Sequence, residues 1–163
     1  MHCVCLGGVR MRRSSVGVFL IAVIGSAVAG CATGPVGTEV LARGPKPGMA
    51  RLVIYRDTAS GLIVQPDYAV DGRKVGSSQP ASFIVCELRP GQHSVSVGNF
   101  PLSVSIGPGT DTVTARLSPG TTTYLHAQPR LGIMTPGTTG LTQVAESQGR
   151  AATASLSRSE SSC

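Results

Sequence analysis

Few side chains in this 163-residue sequence are reactive: it holds five Cys and three His and has no Trp. A thiol can attack carbon, form a disulfide or ligate a metal. Cys31 follows Val28-Ala29-Gly30, a run of small side chains that leaves its thiol uncrowded. A thiol so placed can be alkylated to a thioether, a bond that hydroxyl and amine side chains do not form. Cys86 lies in the apolar run Phe83-Ile84-Val85-Cys86 and reads as a small buried hydrophobe. Cys163 could instead reach it from the end of the sequence, since an oxidising compartment permits a Cys86–Cys163 disulfide. Both readings stand, because spacing alone does not set disulfide geometry. His2, Cys3 and Cys5 are too tightly spaced for a convincing metal site.

His93 follows the turn residues Pro90-Gly91 and reads as a strand-start side chain that caps the turn. His126 lies in Tyr124-Leu-His-Ala127, on the same face as Tyr124 by alternation. A metal or acid–base role for either needs a carboxylate that only folding could bring near. Asp57, Asp67 and Asp71 sit near turns, where turn chemistry explains them. Beyond Cys31 there is no Gly-x-Ser-x-Gly elbow, Walker loop, His-Glu-x-x-His or Cys-x-x-Cys. The expectation is no catalytic residue, no metal and no cofactor.

The segment ahead of Cys31 explains why that thiol matters. Arg12-Arg13 precede a run whose middle, 16–24, is apolar apart from Gly17. A basic start, an apolar centre and a small-residue end form a secretory signal, expected over 1–30 and removed. Residues 1–10 precede a second Met that already opens a complete signal, and read as an over-called start. Val28-Ala29-Gly30-Cys31 resembles the bacterial lipobox. The resemblance implies cleavage before Cys31 and acylation of that residue. Two or three acyl chains anchor stably where one holds only marginally. Ala32 stands where Asp commonly retains lipoproteins at the inner membrane, so the outer membrane is the expected address, facing the periplasm.

Charge follows the same division. The formal net charge is +6, but Arg10, Arg12 and Arg13 belong to the signal. The remaining charges are scattered without a basic stripe, which excludes nucleic acid as a partner. Residues 31–49 hold three Pro and four Gly and read as a flexible tether behind the lipidated Cys31. Residues 149–163 are Ser/Ala-rich and read as a disordered tail.

The elements that must position the remaining residues lie in 50–148. Short β-branched or aromatic runs are expected as seven strands, at 51–56, 67–70, 82–88, 93–97, 102–106, 112–117 and 121–127. Asp71-Gly72, Pro90-Gly91, Gly107-Pro108-Gly109 and Pro119-Gly120 punctuate them. His93-Ser-Val-Ser-Val97 alternates apolar and polar, as half-buried strands do. Residues 129–140 read as a loop and 141–146 as a final strand or short helix. The class is mainly β: a small antiparallel β-sandwich.

Val70-Asp-Gly-Arg-Lys-Val-Gly and Leu88-Arg-Pro-Gly-Gln-His-Ser-Val-Ser-Val97 resemble the PEGA-type β-domain. With the lipobox and Pro119-Gly-Thr-Thr-Thr-Tyr124, the arrangement also resembles small bacterial lipoproteins of unknown function. That resemblance implies a non-catalytic binding or structural module, held to a membrane through Cys31 and facing an envelope protein partner. The alternatives are an accessory subunit of an envelope assembly or secretion complex, and an envelope hydrolase or metal-binding protein using His93 and His126.

Overall fold

The computed structural model describes residues 34–59, 65–98, 111–130 and 138–163. The signal, Cys31 and the strand expected at 102–106 lie outside the described residues. In chain order the elements are α1 (Gly37–Val40), β1 (Ala50–Arg56), β2 (Asp67–Val70), β3 (Arg73–Ser77), β4 (Ser82–Leu88) and β5 (Gly91–Val97). They continue as β6 (Asp111–Leu117), β7 (Thr122–Arg130), β8 (Thr138–Val144), α2 (Glu146–Thr153) and β9 (Ser157–Arg158).

These strands make two sheets, one ordered β8-β7-β1-β4-β9 and the other β3-β2-β5-β6. The fold is a small β-sandwich, as expected. Its larger sheet is mixed rather than wholly antiparallel: β1 runs parallel to β7, and β4 parallel to β9. A parallel neighbour requires a long crossover, and the chain makes one through the second sheet between β1 and β7.

Alternation explains the layers. On β1, Leu52 and Ile54 point between the sheets, where they meet Ile84, Leu125, Val95, Val97 and Leu117. Each such fully buried aliphatic chain contributes about 1.5–3 kcal/mol. Val53 and Tyr55 point to the opposite face of the same sheet, with Phe83, Val85 and Tyr124. That second face is also dry, because Leu41 and Leu156 pack over it. Buried on both faces, β1 is apolar from Leu52 to Tyr55, as a central strand with a parallel neighbour should be, with Arg51 and Arg56 on either side.

The cover comes from the two segments that their composition marked as unstructured. The flexible tether expected through residue 49 is corrected from Gly34 onward. Val36 bridges to Ser157, Gly37 donates its N–H to Leu156 O at 3.1 Å, and Leu41 is buried. Arg51 completes the docking: its Nε meets Glu87 Oε1 at 2.7 Å, and its two Nη groups donate to Arg43 O and Gly44 O at 2.5 and 2.9 Å. Pro and Gly there shape a path across the body rather than a free chain.

The disordered tail expected at 149–163 is corrected as well. α2 runs to Thr153 and lies on Tyr124, an approach so close that a Cβ on Gly149 would strike the Tyr124 ring root. Residues 157–163 then form a strap. Ser159 N–H donates to Phe83 O at 2.8 Å, and Ser162 N–H donates to Val75 O at 3.0 Å. The strap thereby joins β4 of one sheet to β3 of the other and covers both of their edges. On the far side, Asp111 Oδ2 accepts from Leu141 N–H at 2.6 Å and links β6 to β8. Unpaired strand edges are aggregation templates, and the strap occupies the open side at β3 and β4.

Nine strands are described in place of seven. β3 was hidden by its Arg-Lys and Gly residues and β9 by its two-residue length, while β8 takes up 141–144 of the stretch expected as a final strand or short helix and adds 138–140 from the expected loop. Within the expected loop, β7 extends through Arg130 and β8 begins at Thr138.

Candidate functional site

The two histidines fall on different sheets, and each meets its own aspartate. Asp71 and Gly72 form the β2–β3 hairpin with φ of 50° and 77°, the left-handed pair of a type I′ turn. The turn aims the Asp71 carboxylate at β5, where Oδ1 accepts from Ser94 N–H at 2.9 Å and Oδ2 meets His93 Nδ1 at 2.7 Å. His93 Nε2 lies 2.8 Å from Arg89 O. A carbonyl only accepts, so Nε2 donates, and facing a carboxylate the Nδ1 donates too. The geometry therefore favours the imidazolium. Burial alone would lower the His93 pKa, but the bonds to Asp71 and Arg89 O, with the Asp71 charge, outweigh it and raise the value. His93 and the Ser94 N–H hold Asp71 below the usual carboxylate range. The Asp-Gly and Pro-Gly-x-His elements are thus two halves of one latch between hairpin turns.

His126 pairs with Tyr55 across the parallel β1–β7 register, and the rings stack with centroids 4.6 Å apart and planes 4° apart. Its Nε2 meets Asp57 Oδ1 at 2.9 Å. Burial, then the Asp57 charge, raises the Tyr55 pKa, so the stacked phenol stays neutral. Among the described residues no group of three or more His, Cys, Asp or Glu could hold a metal ion. Folding brings His93 to Asp71 and His126 to Asp57 without bringing the two histidines into one constellation. Asp67 instead pairs with Lys74 at 2.8 Å across the β2–β3 hairpin.

Cys86 and Cys163 are joined in a disulfide, with Cα atoms 5.3 Å apart. Cys86 is both buried in the inter-sheet core and tied to the end of the strap. The bond closes a loop with a sequence separation of 77, so the strap is fixed covalently as well as by hydrogen bonds.

Two features had weak sequence signals. Arg56 is 1% exposed, on the inward parity of Leu52 and Ile54, and its Nη1 donates to Ser78 O at 3.1 Å. Burial lowers its pKa. Burial also pushes the neighbouring Tyr68 phenol up to about 12, against the pull of Ser78 and the Arg56 charge. A cation at an inward parity was the available signal. The second feature is a cleft of about 230 Å³ in the helical cover, lined by Gly37, Thr38, Leu41, Ala42, Arg150 and Ala154. It joins residues more than a hundred positions apart, which local pattern cannot reveal.

The described residues nearest in sequence to Cys31 are Gly34 to Val40, and they pack on α2 and the strap through Gly37 N–H to Leu156 O and Arg158 N–H to Pro35 O. This helical cover, with the cleft between α1 and α2, rather than either histidine, is the candidate functional site. Among the described residues no helix is long and apolar enough to cross a membrane. No family model matches the chain. An uncharacterized protein of Haemophilus influenzae is similar to it, with 26% identity over 151 residues, covering 89% of this chain and 82% of that protein.

Proposed function

We propose that this chain is a lipid-anchored cell-envelope protein whose β-sandwich is a non-catalytic binding or structural module. The observation that carries the reading is Arg12-Arg13, the apolar run after it, and Val28-Ala29-Gly30-Cys31 at its end. Acyl chains on Cys31 hold the protein at the membrane, and the domain meets an envelope protein partner there. The Cys86–Cys163 disulfide supports an oxidising compartment. His93 and His126 support the non-catalytic part of the reading, since each is committed to a local partner and to packing. The test is fractionation of a bacterial envelope expressing the full chain and its Cys31→Ala variant. Wild type partitions with membranes and takes up labelled palmitate, whereas the variant does neither. Palmitate uptake by the variant would overturn the reading.

A further inference from the structure

The described fold begins much closer to Cys31 than composition suggests. A free tether through residue 49 would allow the domain to stand roughly 60 Å away when fully extended. The chain is instead bound to the body from its first described residues. Arg158 N–H donates to Pro35 O at 2.9 Å, Gly37 N–H to Leu156 O at 3.1 Å, and Thr38 N–H to Ala154 O at 3.3 Å. Gly34 itself packs on the Arg158 backbone. Only Ala32 and Thr33 separate it from Cys31. Three residue steps span at most about 11 Å. The polar zone of one leaflet is about 5–8 Å deep. A thioether-linked glycerol sits within that zone, so a link this short keeps the body within about 6 Å of the headgroups.

We infer that the edge formed by α1 and the β9 strap is a membrane-apposed surface, seated on the phospholipid headgroups of the bilayer that holds Cys31. This deepens the proposed function and rests on lipidation of Cys31. The residues offered there are polar or small: Pro35, Thr38, Glu39, Ser155 and Arg158 are exposed, while Leu41 and Leu156 turn inward. That pattern suits contact with headgroups rather than insertion among acyl chains. The opposite edge, where β6 and β8 meet, then points towards the compartment. It lies four strand spacings from β9 across the larger sheet, or about 19 Å.

The test uses the full chain with a photoreactive benzoylphenylalanine at Thr38, Arg158 or, as the distal control, Thr114 on β6. Each variant is crosslinked in vesicles of phosphatidylethanolamine and phosphatidylglycerol, and palmitate uptake is measured on the same material. Thr38 and Arg158 are expected to give lipid adducts several-fold above Thr114. A Gly/Ser insert of about 15 residues between Thr33 and Gly34 spans about 20 Å on average and should bring all three to the same level. Acylated protein with equal adducts at the three positions, or with protein adducts replacing lipid at Arg158, overturns the orientation alone. Protein without palmitate overturns the orientation together with the lipoprotein reading.

Discussion

Breaking the Cys86–Cys163 bond should destabilise the fold by an amount that the loop length sets. The bond closes a loop with a sequence separation of 77. Loop-closure entropy for that length gives about 4.5 kcal/mol at 25 °C, within the roughly 2–5 kcal/mol lost when native disulfides are removed. The strap's hydrogen bonds to Phe83 O and Val75 O remain possible after the bond is cut. The loss should therefore come chiefly from the freer unfolded chain, and the native fold should survive. The assay is urea unfolding of the detergent-extracted full chain, with and without a dithiol reductant, beside the Cys163→Ser variant. At about 2 kcal/mol per molar of urea, the midpoint should fall by about 2 M. The slope should rise, because an uncrosslinked unfolded chain exposes more surface. Midpoints that coincide with and without reductant, together with two titratable thiols in the unreduced unfolded protein, would refute the reasoning.

Three further perturbations probe separate parts of the account. The His93–Asp71 latch should make stability depend on pH from both sides. His93 has a raised pKa, so its contribution is full below about pH 6.5 and is lost as pH rises through the higher folded value. Asp71 has a lowered pKa, so its contribution is full above about pH 4 and is lost as pH falls through the lower folded value. With Asp71 half-exposed, the pair is worth about 1 kcal/mol, and urea midpoints of wild type and His93→Gln should differ most near pH 5.5 and converge by pH 9. Gly149→Ala should destabilise by about 1–3 kcal/mol through collision with Tyr124, although an unconstrained helical site would gain up to about 1 kcal/mol from that change; thermal unfolding gives the sign. Arg51→Met should cost about 2–4 kcal/mol by leaving Glu87 without its guanidinium partner, and trypsin should then cut the exposed Arg43–Gly44 bond faster, because both carbonyls lose their Arg51 donors.

The strands and hairpins were legible because their determinants are local. Asp71-Gly72 needs only its own dihedral freedom to make a type I′ turn, and His93-Ser-Val-Ser-Val97 carries its inward parity in its own alternation. The burial of Cys86 was legible for the same reason. The helical cover and the strap were not, because what orders them is contact between distant segments. Gly37 and Gly149 read as flexibility, yet Gly149 is the residue that lets α2 settle on Tyr124. Ser159 and Ser162 read as a solvated tail, yet their backbone N–H groups find carbonyls on β4 and β3 of opposite sheets. Composition cannot report which backbone groups will pair, and the packing of 34–49 and 149–163 depends on that pairing. The carboxylate partners of the histidines were hidden likewise, since Asp71 lies 22 residues from His93 and Asp57 lies 69 from His126.

The central claim is that Cys31 carries the lipid and begins the protein that works in the envelope. Mass spectrometry of the N-terminal peptide from membrane-extracted protein tests it directly. The account predicts a peptide that begins at Cys31 and carries a diacylglyceryl thioether. An unmodified Cys31 within a peptide that still includes Ala29 and Gly30 would contradict it.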